Sequence, residues 1–364
     1  MPRPVLRSKD ATSVTLEGRR LLAFAGTDYL GLSTHPDVLE AYRVGLSRFG
    51  ASASASPITS GRTEAHESLE ESLADYLGQE SALVLPTGEL ANLALLDSRR
   101  DEIDAALIDA DSHPSLVHAA RLAGLAPLDY GRGDRTRLLA LCDRFRDDRI
   151  WVLTDGVFPA QGRLAPVPDL LRDLPTGGWL LLDDSHGFGV LGEAGRGTLQ
   201  AFGTPGERVV QSFSLAKALG VAGGALVGPA NCIEAVARRS EVYQGSTALA
   251  PAAAMAARAA LDVLEADRER RHRLARNTNR LQRLRAGLGV APAEQALPVW
   301  SWWIPEEAQA QAVYADLLRA GLYVPLTRYG GSQAGLALRI SVSSEHSLED
   351  LDRLAQALAP HFPR

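Results

Sequence analysis

Short apolar runs bounded by turn residues alternate with amphipathic stretches over much of the chain. The apolar runs are typical of buried strands and span residues 82–85, 105–109, 150–154, 179–183, 209–213 and 225–227. The stretches between them predict helices at 90–97, 114–124, 136–145 and 167–172. This alternation predicts an α/β fold with a mostly parallel central sheet and helices on both faces, in which ligands bind at the carboxyl ends of the strands.

The C-terminal part of the chain has a different pattern. A long Arg-rich helical region at 248–288 carries no strand signal and marks the exit from the large domain. After it, a strand-helix-strand-strand-helix order predicts a small α+β domain, with strands in PVWSWW, LYVPL and LALRISV and helices at 306–320 and 347–359. Residues 14–24 predict a hairpin. We therefore expect an N-terminal segment at 1–45 that packs with the small domain, a large domain at 46–284 and the small C-terminal domain at 285–364.

Composition narrows the class of protein. The 364 residues are 46% hydrophobic and carry a net charge of −6, so no global positive field attracts nucleic acid or an anionic membrane. Cys142 and Cys232 form no disulfide framework or metal spacing, and the N-terminus lacks an apolar leader, which predicts a cytoplasmic protein without a metal. The most apolar stretch, 248–264, contains Pro251 and Asp262, which disfavours a membrane span.

The use of lysine points to chemistry. Of the 38 basic residues only Lys9 and Lys217 are lysines, so arginine supplies nearly every other positive charge. Lys217 lies among apolar and small residues in FSLAKALGVAGG, which is an unusual place for a solvated surface charge. A desolvated lysine amine can lose its proton and attack a carbonyl group, which a guanidinium does not do. We therefore expect Lys217 to be a nucleophile rather than an inconsequential lysine at a helix start.

The segment after the strand at 179–183 allows two interpretations that the sequence does not favour. SHGFGVLG holds a formal GxGxxG, but Asp183 and Asp184 precede it and its glycines do not open directly into a helix. A carboxylate pair there would repel a pyrophosphate, which disfavours a dinucleotide site. Asp183, Asp184 and His186 could also hold a metal, although no further ligand set with helical spacing supports that interpretation.

A third interpretation is a pyridine cofactor that carries an aldehyde. Such a cofactor needs an amine to hold it as an imine and a carboxylate to keep its ring nitrogen protonated, which Lys217 and Asp183 could supply. Its phosphate would need hydroxyl groups and helix-start amides. The candidates are Thr87, Gly88, Ser214, Ser246 and Thr247 for the phosphate, and His113, just past a strand end, to stack on the ring.

Several segments spread over most of the chain carry a set of motifs: TDYLGLSTHP, SGRTEAHESLEESLADYLG, TGELANLALL, TDGVF, LLLDDSHGFGVLGEAGRG, SLAKALG and LRISVSSEH. These motifs resemble those of the α-oxoamine synthase family of pyridoxal-phosphate enzymes. The Asp-Asp-small-His-Gly-x-Gly-Val-Leu-Gly block and the lysine block, at their separation, are specific to that group. The resemblance implies a fold-type I pyridoxal-phosphate transferase and a homodimer whose subunits share active sites.

The resemblance also implies roles for individual residues. Lys217 would hold the cofactor as a Schiff base and act as the base at the substrate α-carbon, and Asp183 would pair with the ring nitrogen. His186 would hydrogen-bond the phenolic oxygen, and His113 would stack on the ring. The remaining contacts are Thr87, Gly88, Glu89 and Ser214 around the phosphate, Thr247 reaching it from the neighbouring subunit, Arg339 on the substrate carboxylate and Thr27 near the substrate.

In the family reaction a small α-amino acid loses its α-proton, the resulting carbanion attacks an acyl-CoA or another acyl thioester, and carbon dioxide is lost. The sequence departs from the family pattern at Thr27, Pro57, Glu89 and Pro159. The Glu89 carboxylate must point away from the phosphate or meet a cation. The alternatives are a pyridoxal-phosphate aminotransferase or lyase that needs no acyl donor, and a non-catalytic partner subunit, against which Lys217 counts.

Overall fold

The computed structural model describes residues 4–145, 149–291, 293–328 and 335–362. Its strands are β1 (Leu6–Lys9), β2 (Ser13–Leu16), β3 (Arg19–Ala23), β4 (Ser81–Leu85), β5 (Ala105–Ile108), β6 (Leu128–Asp129), β7 (Ile150–Asp155), β8 (Val157–Phe158), β9 (Arg163–Leu164), β10 (Trp179–Asp183), β11 (Val209–Ser214), β12 (Gly224–Gly228), β13 (Val299–Ile304), β14 (Leu322–Tyr323), β15 (Leu326–Thr327) and β16 (Leu336–Ser341). Its helices are α1 (Pro36–Phe49), α2 (Glu64–Leu77), α3 (Gly88–Arg99), α4 (Pro114–Leu122), α5 (Arg135–Arg144), α6 (Val167–Asp173), α7 (Thr198–Phe202), α8 (Leu215–Ala218), α9 (Ala230–Arg239), α10 (Glu241–Gly245), α11 (Pro251–Ala266), α12 (Arg268–Gly287), α13 (Glu307–Arg319) and α14 (Leu348–Leu358).

The chain divides into two compact units, each of which is described by itself. Unit 1 contains Met1–Thr34, Pro159–Arg163 and Asp267–Arg364, and unit 2 contains His35–Phe158 and Leu164–Ala266. The divisions near residues 34 and 266 differ from the boundaries at 45 and 284 that the sequence predicts.

The packing of two helices explains these differences. Helix α1 packs along α11 inside unit 2, so closely that a Cβ on Gly45 would lie 2.6 Å from the Cα of Ala252. Helix α12 belongs to unit 1, where Asn277 donates from Nδ2 to the carbonyl oxygens of Ser343 at 2.8 Å and His346 at 2.7 Å. The helical region predicted at 248–288 is therefore two helices, with Asp267 capping the start of α12.

Unit 2 is built on a sheet that, over the described residues, has seven strands in the order β4-β12-β11-β10-β7-β5-β6. Strand β12 runs antiparallel to β4 and β11, and the other neighbouring pairs are parallel. The predicted α/β fold with a mostly parallel sheet is confirmed. The six predicted strands match the observed ones within one residue at each end. The sequence does not predict β6, because a strand of two residues shows no periodicity.

Successive residues of these strands alternate between two apolar faces, as the pleat of a strand requires. One face packs on α3, α4 and α9, and the other packs on α5, α6 and α7. The first face includes Leu83, Ile108, Trp151, Leu181 and Val210, and the second includes Leu107, Val152, Leu180, Leu182 and Val209.

Unit 1 contains a sheet in the order β1-β2-β3-β14 and a second sheet in the order β13-β16-β15, as far as its described residues extend. The hairpin predicted at 14–24 is formed by β2 and β3, which pair Val14 with Leu21. Arg339 lies on β16 opposite Ser301 of β13. Across the described parts of both units, every helix is too short or too polar to cross a membrane.

Candidate active site

The carboxyl ends of the parallel strands β4, β5, β7, β10 and β11 lie at one edge of the unit 2 sheet. Strand β10 ends at Asp183, and the register sets it beside Asp155 at the end of β7. Lys217 lies on α8, the short helix that follows β11 directly. Ser214 caps this helix by accepting a hydrogen bond from the N–H of Ala216 at 3.3 Å. The predicted amine and carboxylate therefore arise from adjacent strands at the same edge.

Electrostatics connects Asp155 with both Asp183 and Lys217. Asp155 and Asp183 are only 7% and 8% exposed. Burial and then the neighbouring Asp183 carboxylate raise the pKa of Asp155 well above its usual value. A hydrogen bond from the N–H of His113, 2.6 Å from Asp155 Oδ2, and the Lys217 ammonium both oppose this rise. Lys217 thus lies within electrostatic range of Asp155.

The first turn of α3 forms a candidate cradle for an anion. Thr87 caps the helix, its Oγ1 accepting from the N–H of Leu90 at 3.1 Å, and the N–H of Gly88 lies at the positive end of the helix dipole. A Cβ on Gly88 would lie 3.2 Å from the nitrogen of Ser214, and a Cβ on Gly224 would lie 2.3 Å from that of Gly88. The structure therefore brings Thr87, Gly88 and Ser214 together, and it requires glycine at 224 to do so.

Glu89 follows in the same turn, with a side chain that is 66% exposed. Its Oε1 lies 4.0 Å from Nδ1 of His118 on α4. A carboxylate directed at a bound phosphate would repel it, whereas one that faces solvent and an imidazole is screened. Glu89 can therefore serve the cradle through its backbone N–H.

His113 caps the start of α4, and the residue is exposed. Its Nδ1 lies 2.8 Å from Oγ of Ser115, which in turn lies 3.4 Å from Nδ2 of Asn92. Asn92 also donates to Asp183 Oδ2 at 3.0 Å. His113 and Asp183 are thereby joined through two side chains that the sequence did not single out.

Ser185 and Asp155 also belong to this edge and were missed. The N–H of Ser185 donates to Asp183 Oδ1 at 3.1 Å, and its Oγ accepts from the N–H of Ser214 at 3.0 Å, which ties the end of β10 to that of β11. Asp155 stands in the quoted motif TDGVF at a predicted strand end, and Asn92 is the polar residue within the apolar helix LANLALL. These sequence signals could have identified Asp155 and Asn92.

Asp184 has a different environment from Asp183, although the two are adjacent. It is fully buried, and its Oδ2 accepts from the N–H of Thr198 at 2.8 Å and from Nε2 of Gln211 at 3.2 Å. The hydroxyl of Thr198 donates to Oδ1. Burial raises the pKa of Asp184 to about 7 in spite of these hydrogen bonds.

The glycine-rich segment after β10 wraps around this carboxylate. A Cβ on Gly187 would lie 2.0 Å from Oδ1 of Asp184, and a Cβ on Gly197 would lie 2.0 Å from Oδ2. The segment folds back through a bridge between Phe188 and Arg196 before α7 begins at Thr198. Gly187 and Gly197 are therefore accounted for by a buried side chain, and the first N–H of α7 donates to the Asp184 carboxylate, which disfavours a pyrophosphate there.

Four further residues belong to the predicted site. His186 is half-buried in the segment after β10, and Thr247 is exposed between α10 and α11. Thr27 and Arg339 belong to unit 1. Among the residues that the structure describes, no three His, Cys, Asp or Glu side chains are grouped to hold a metal, so the metal interpretation of Asp183, Asp184 and His186 gains no support.

The unit 2 residues fit a phosphorylated pyridine aldehyde. Lys217 offers an amine for the aldehyde, and Asp183 offers a buried carboxylate for a protonated ring nitrogen. The turn at Thr87 and Gly88, beside Ser214, offers helix-start N–H groups and hydroxyls for the phosphate.

Comparisons with known proteins agree with this chemistry. The family model of aminotransferase class I and II matches residues 19–358. The chain is 38% identical over 365 residues to the 8-amino-7-oxononanoate synthase of Methylococcus capsulatus, which covers 100% of this chain and 94% of that protein. It is 37% identical over 363 residues to the 8-amino-7-oxononanoate synthase of Thioalkalivibrio sulfidiphilus, with 98% and 92% covered.

Solved structures are similar over nearly the whole chain. A serine palmitoyltransferase from S. paucimobilis with a bound PLP–myriocin aldimine superposes with a TM-score of 0.92 and 25% identity, covering 98% of this chain and 92% of that one. The 8-amino-7-oxononanoate synthase of Francisella tularensis has a TM-score of 0.80 and 23% identity, with 94% and 97% covered, and supports the fold alone.

We expect Gly197→Ala to destabilise the protein far more than Gly203→Ala. Both glycines have positive φ, +87° and +60°, but a Cβ at 203 meets nothing within 4 Å, whereas one at 197 collides with Asp184. Gly203→Ala should cost about 1 kcal/mol and Gly197→Ala about 3 kcal/mol or more in chemical denaturation. Equal losses in the free energy of unfolding would show that the Asp184 side chain does not require glycine at position 197.

Asp184 should also make stability depend on pH. Because its pKa is raised in the folded protein, the unfolded chain ionises first, and the free energy of unfolding falls as pH rises from about 4 to about 7. Asp184→Asn removes this contribution, so its free energy of unfolding should improve relative to the unmodified protein between about pH 5 and pH 7. A difference that stays constant over this range in urea titrations would mean that Asp184 is ionised throughout.

Proposed function

The chain belongs to the aminotransferase class I and II family, and we propose that it condenses a small α-amino acid with an acyl thioester and releases carbon dioxide. Its cofactor is pyridoxal 5′-phosphate, and its resemblance to the α-oxoamine synthases is confirmed by its relatives. One observation carries the proposal. Asp183 ends β10, and Lys217 lies on α8 directly after the adjacent strand β11, so both groups lie at the same edge of the sheet. Asp155, which the register sets beside Asp183, is within electrostatic range of Lys217.

Bound pyridoxal phosphate supplies an electron sink that stabilises negative charge at the substrate α-carbon. Lys217 Nζ would hold the cofactor covalently and would also be the base that accepts the substrate α-proton. Asp183 keeps the ring nitrogen protonated through a charge-assisted hydrogen bond. We assign the face of the ring to His113 and its phenolic oxygen to His186.

The phosphate contacts extend the proposal to a homodimer. We assign the phosphate to Thr87, Gly88, Glu89 and Ser214, with Thr247 of the partner subunit completing the set. Two hydrogen bonds that hold the backbone beside Thr247 support this assignment. The N–H of Ala248 donates to the carbonyl oxygen of Ala55 at 3.0 Å, and Nε2 of His66 lies 2.7 Å from the carbonyl oxygen of Leu249. An exposed hydroxyl on a fixed segment is well suited to reach across an interface.

The product named for the curated relatives suggests the substrates. In 8-amino-7-oxononanoate the amine stands on the carbon next to the ketone. Cleaving the bond between these carbons leaves a seven-carbon dicarboxylic acyl group and alanine without its carboxylate. We therefore propose alanine and a seven-carbon dicarboxylic acyl thioester, with the Arg339 fork on the amino acid carboxylate and Thr27 nearby.

The proposed reaction balances without an oxidant. The bond between the α-carbon and the acyl carbon forms as the thioester C–S bond breaks, and the thiolate leaves and takes up a proton. The β-keto acid then loses its carboxylate as carbon dioxide, and a proton returns to the α-carbon. Lys217 Nζ would accept the α-proton at the start and donate a proton to the same carbon at the end. Asp183 would keep the ring nitrogen protonated, which makes removal of the α-proton feasible.

The scarcity of lysine allows a direct test of the cofactor attachment. Borohydride reduction followed by digestion with a lysine-specific protease should leave the adduct on Lys217 and block cleavage there, while Lys9 is still cleaved. Lys217→Arg should abolish the adduct and turnover, because a guanidinium does not form the imine. Lys9→Arg is the matched control and should retain both. An adduct at Lys9, or normal turnover by Lys217→Arg, would refute the assignment.

Product analysis should identify the reaction. With alanine and the seven-carbon dicarboxylic acyl-CoA we expect free thiol and carbon dioxide in equal amounts, and neither product when one substrate is omitted. Serine with palmitoyl-CoA tests the substrates named for the structural neighbours. Conversion of an amino acid without any thioester would instead identify an aminotransferase or lyase, and an adduct on Lys217 without any turnover would contradict all of these reactions.

A further inference from the structure

Asn92 stands between the two groups to which we assign the cofactor ring. It is fully buried on α3, and its Nδ2 donates to Asp183 Oδ2 at 3.0 Å and to Ser115 Oγ at 3.4 Å, so both amide hydrogens are used. The carboxylate sets the orientation of the amide, because the reverse orientation would place two oxygens against each other. Asn92 is thus a fixed donor to two neighbours.

Ser115 passes this orientation on to His113. The N–H of Ser115 donates to His113 Nδ1 at 3.2 Å, so that nitrogen carries no hydrogen. The Ser115 hydroxyl, 2.8 Å from the same nitrogen, accepts from Asn92 and can therefore donate to His113. These contacts hold the neutral ring with its hydrogen on Nε2. Asp155 fixes the backbone of His113 through the N–H.

The side-chain oxygen of Asn92 carries an energetic cost. Its Oδ1 is buried and has no hydrogen-bond partner within the described part of the chain. An unpaired buried acceptor is unfavourable, and a leucine, which has the same branched shape, would avoid it at this position. What the asparagine contributes in return is its pair of donors, which bind Asp183 and Ser115.

We propose that Asn92 is a positioning residue that fixes Asp183 directly and His113 through Ser115, so that a single amide sets both groups that flank the cofactor ring. The inference rests on the proposed function, because it takes pyridoxal phosphate as the ligand of these two side chains. In this role Asn92 does not itself contact the substrate.

The test compares Asn92→Leu with Ser98→Ala as a matched control on the same helix. Ser98 is also buried, but its hydroxyl bonds to the carbonyl oxygen of Leu95, within the helix. For Asn92→Leu we expect the Kd of the cofactor-free protein for pyridoxal phosphate to rise about 10- to 100-fold, the effect of losing a hydrogen bond to a charged group. The pH midpoint of the visible absorption at Lys217 should also move upward, because Asp183 without its donor draws the ring proton more strongly. Ser98→Ala should change neither quantity.

The outcomes separate this inference from the proposed function. An Asn92→Leu variant that folds, as judged by thermal unfolding without cofactor, and keeps both the Kd and the midpoint would overturn the positioning role. If that variant does not fold, Ser115→Ala tests the part of the proposal in which Ser115 positions His113. Ser115→Ala should raise the Kd for pyridoxal phosphate and leave the pH midpoint unchanged. An unchanged Kd would overturn this part of the proposal. Failure of the unmodified protein to bind pyridoxal phosphate at Lys217 would instead refute the proposed function.

Discussion

The burial of three carboxylates at one edge of the unit 2 sheet is the constraint on which the site depends. Asp155, Asp183 and Asp184 are each less than 9% exposed, and a buried charge is unfavourable unless donors or an opposite charge compensate it. Asp155 accepts a hydrogen bond from the N–H of His113, and the nearby Lys217 charge opposes the rise of its pKa. Asp184 accepts hydrogen bonds from Thr198 and Gln211. Much of the local structure supplies the hydrogen-bond donors that compensate these buried carboxylates.

The alternation of side chains along β10 assigns two identical neighbours to different tasks. Asp183 lies on the face that packs on α3 and meets Asn92, whereas Asp184 lies on the opposite face and meets Thr198 of α7. The first is the candidate site residue, and the second organises the glycine-rich segment that carries His186. A carboxylate pair that looks like a single feature in the sequence thus has two different environments.

Much of the fold and part of the site could be predicted because their signals are local. Buried strands have continuous apolar runs, and Lys217 is conspicuous as one of two lysines. Asn92 and Ser115 could not be assigned a role, because their importance comes from partners 91 and 23 residues away along the chain. The unit boundaries near 34 and 266 were also beyond prediction, since they depend on which helices pack together.

The sequence by itself determined the kinds of chemistry present and the order of strands and helices, because apolar periodicity and residue type act over a few neighbouring positions. It could not determine that β7 lies beside β10 in the register that sets Asp155 against Asp183, or that Gly224 lets Gly88 approach Ser214. Those features were decided by the tertiary structure, because strand order and register follow from packing between segments that are distant in the chain.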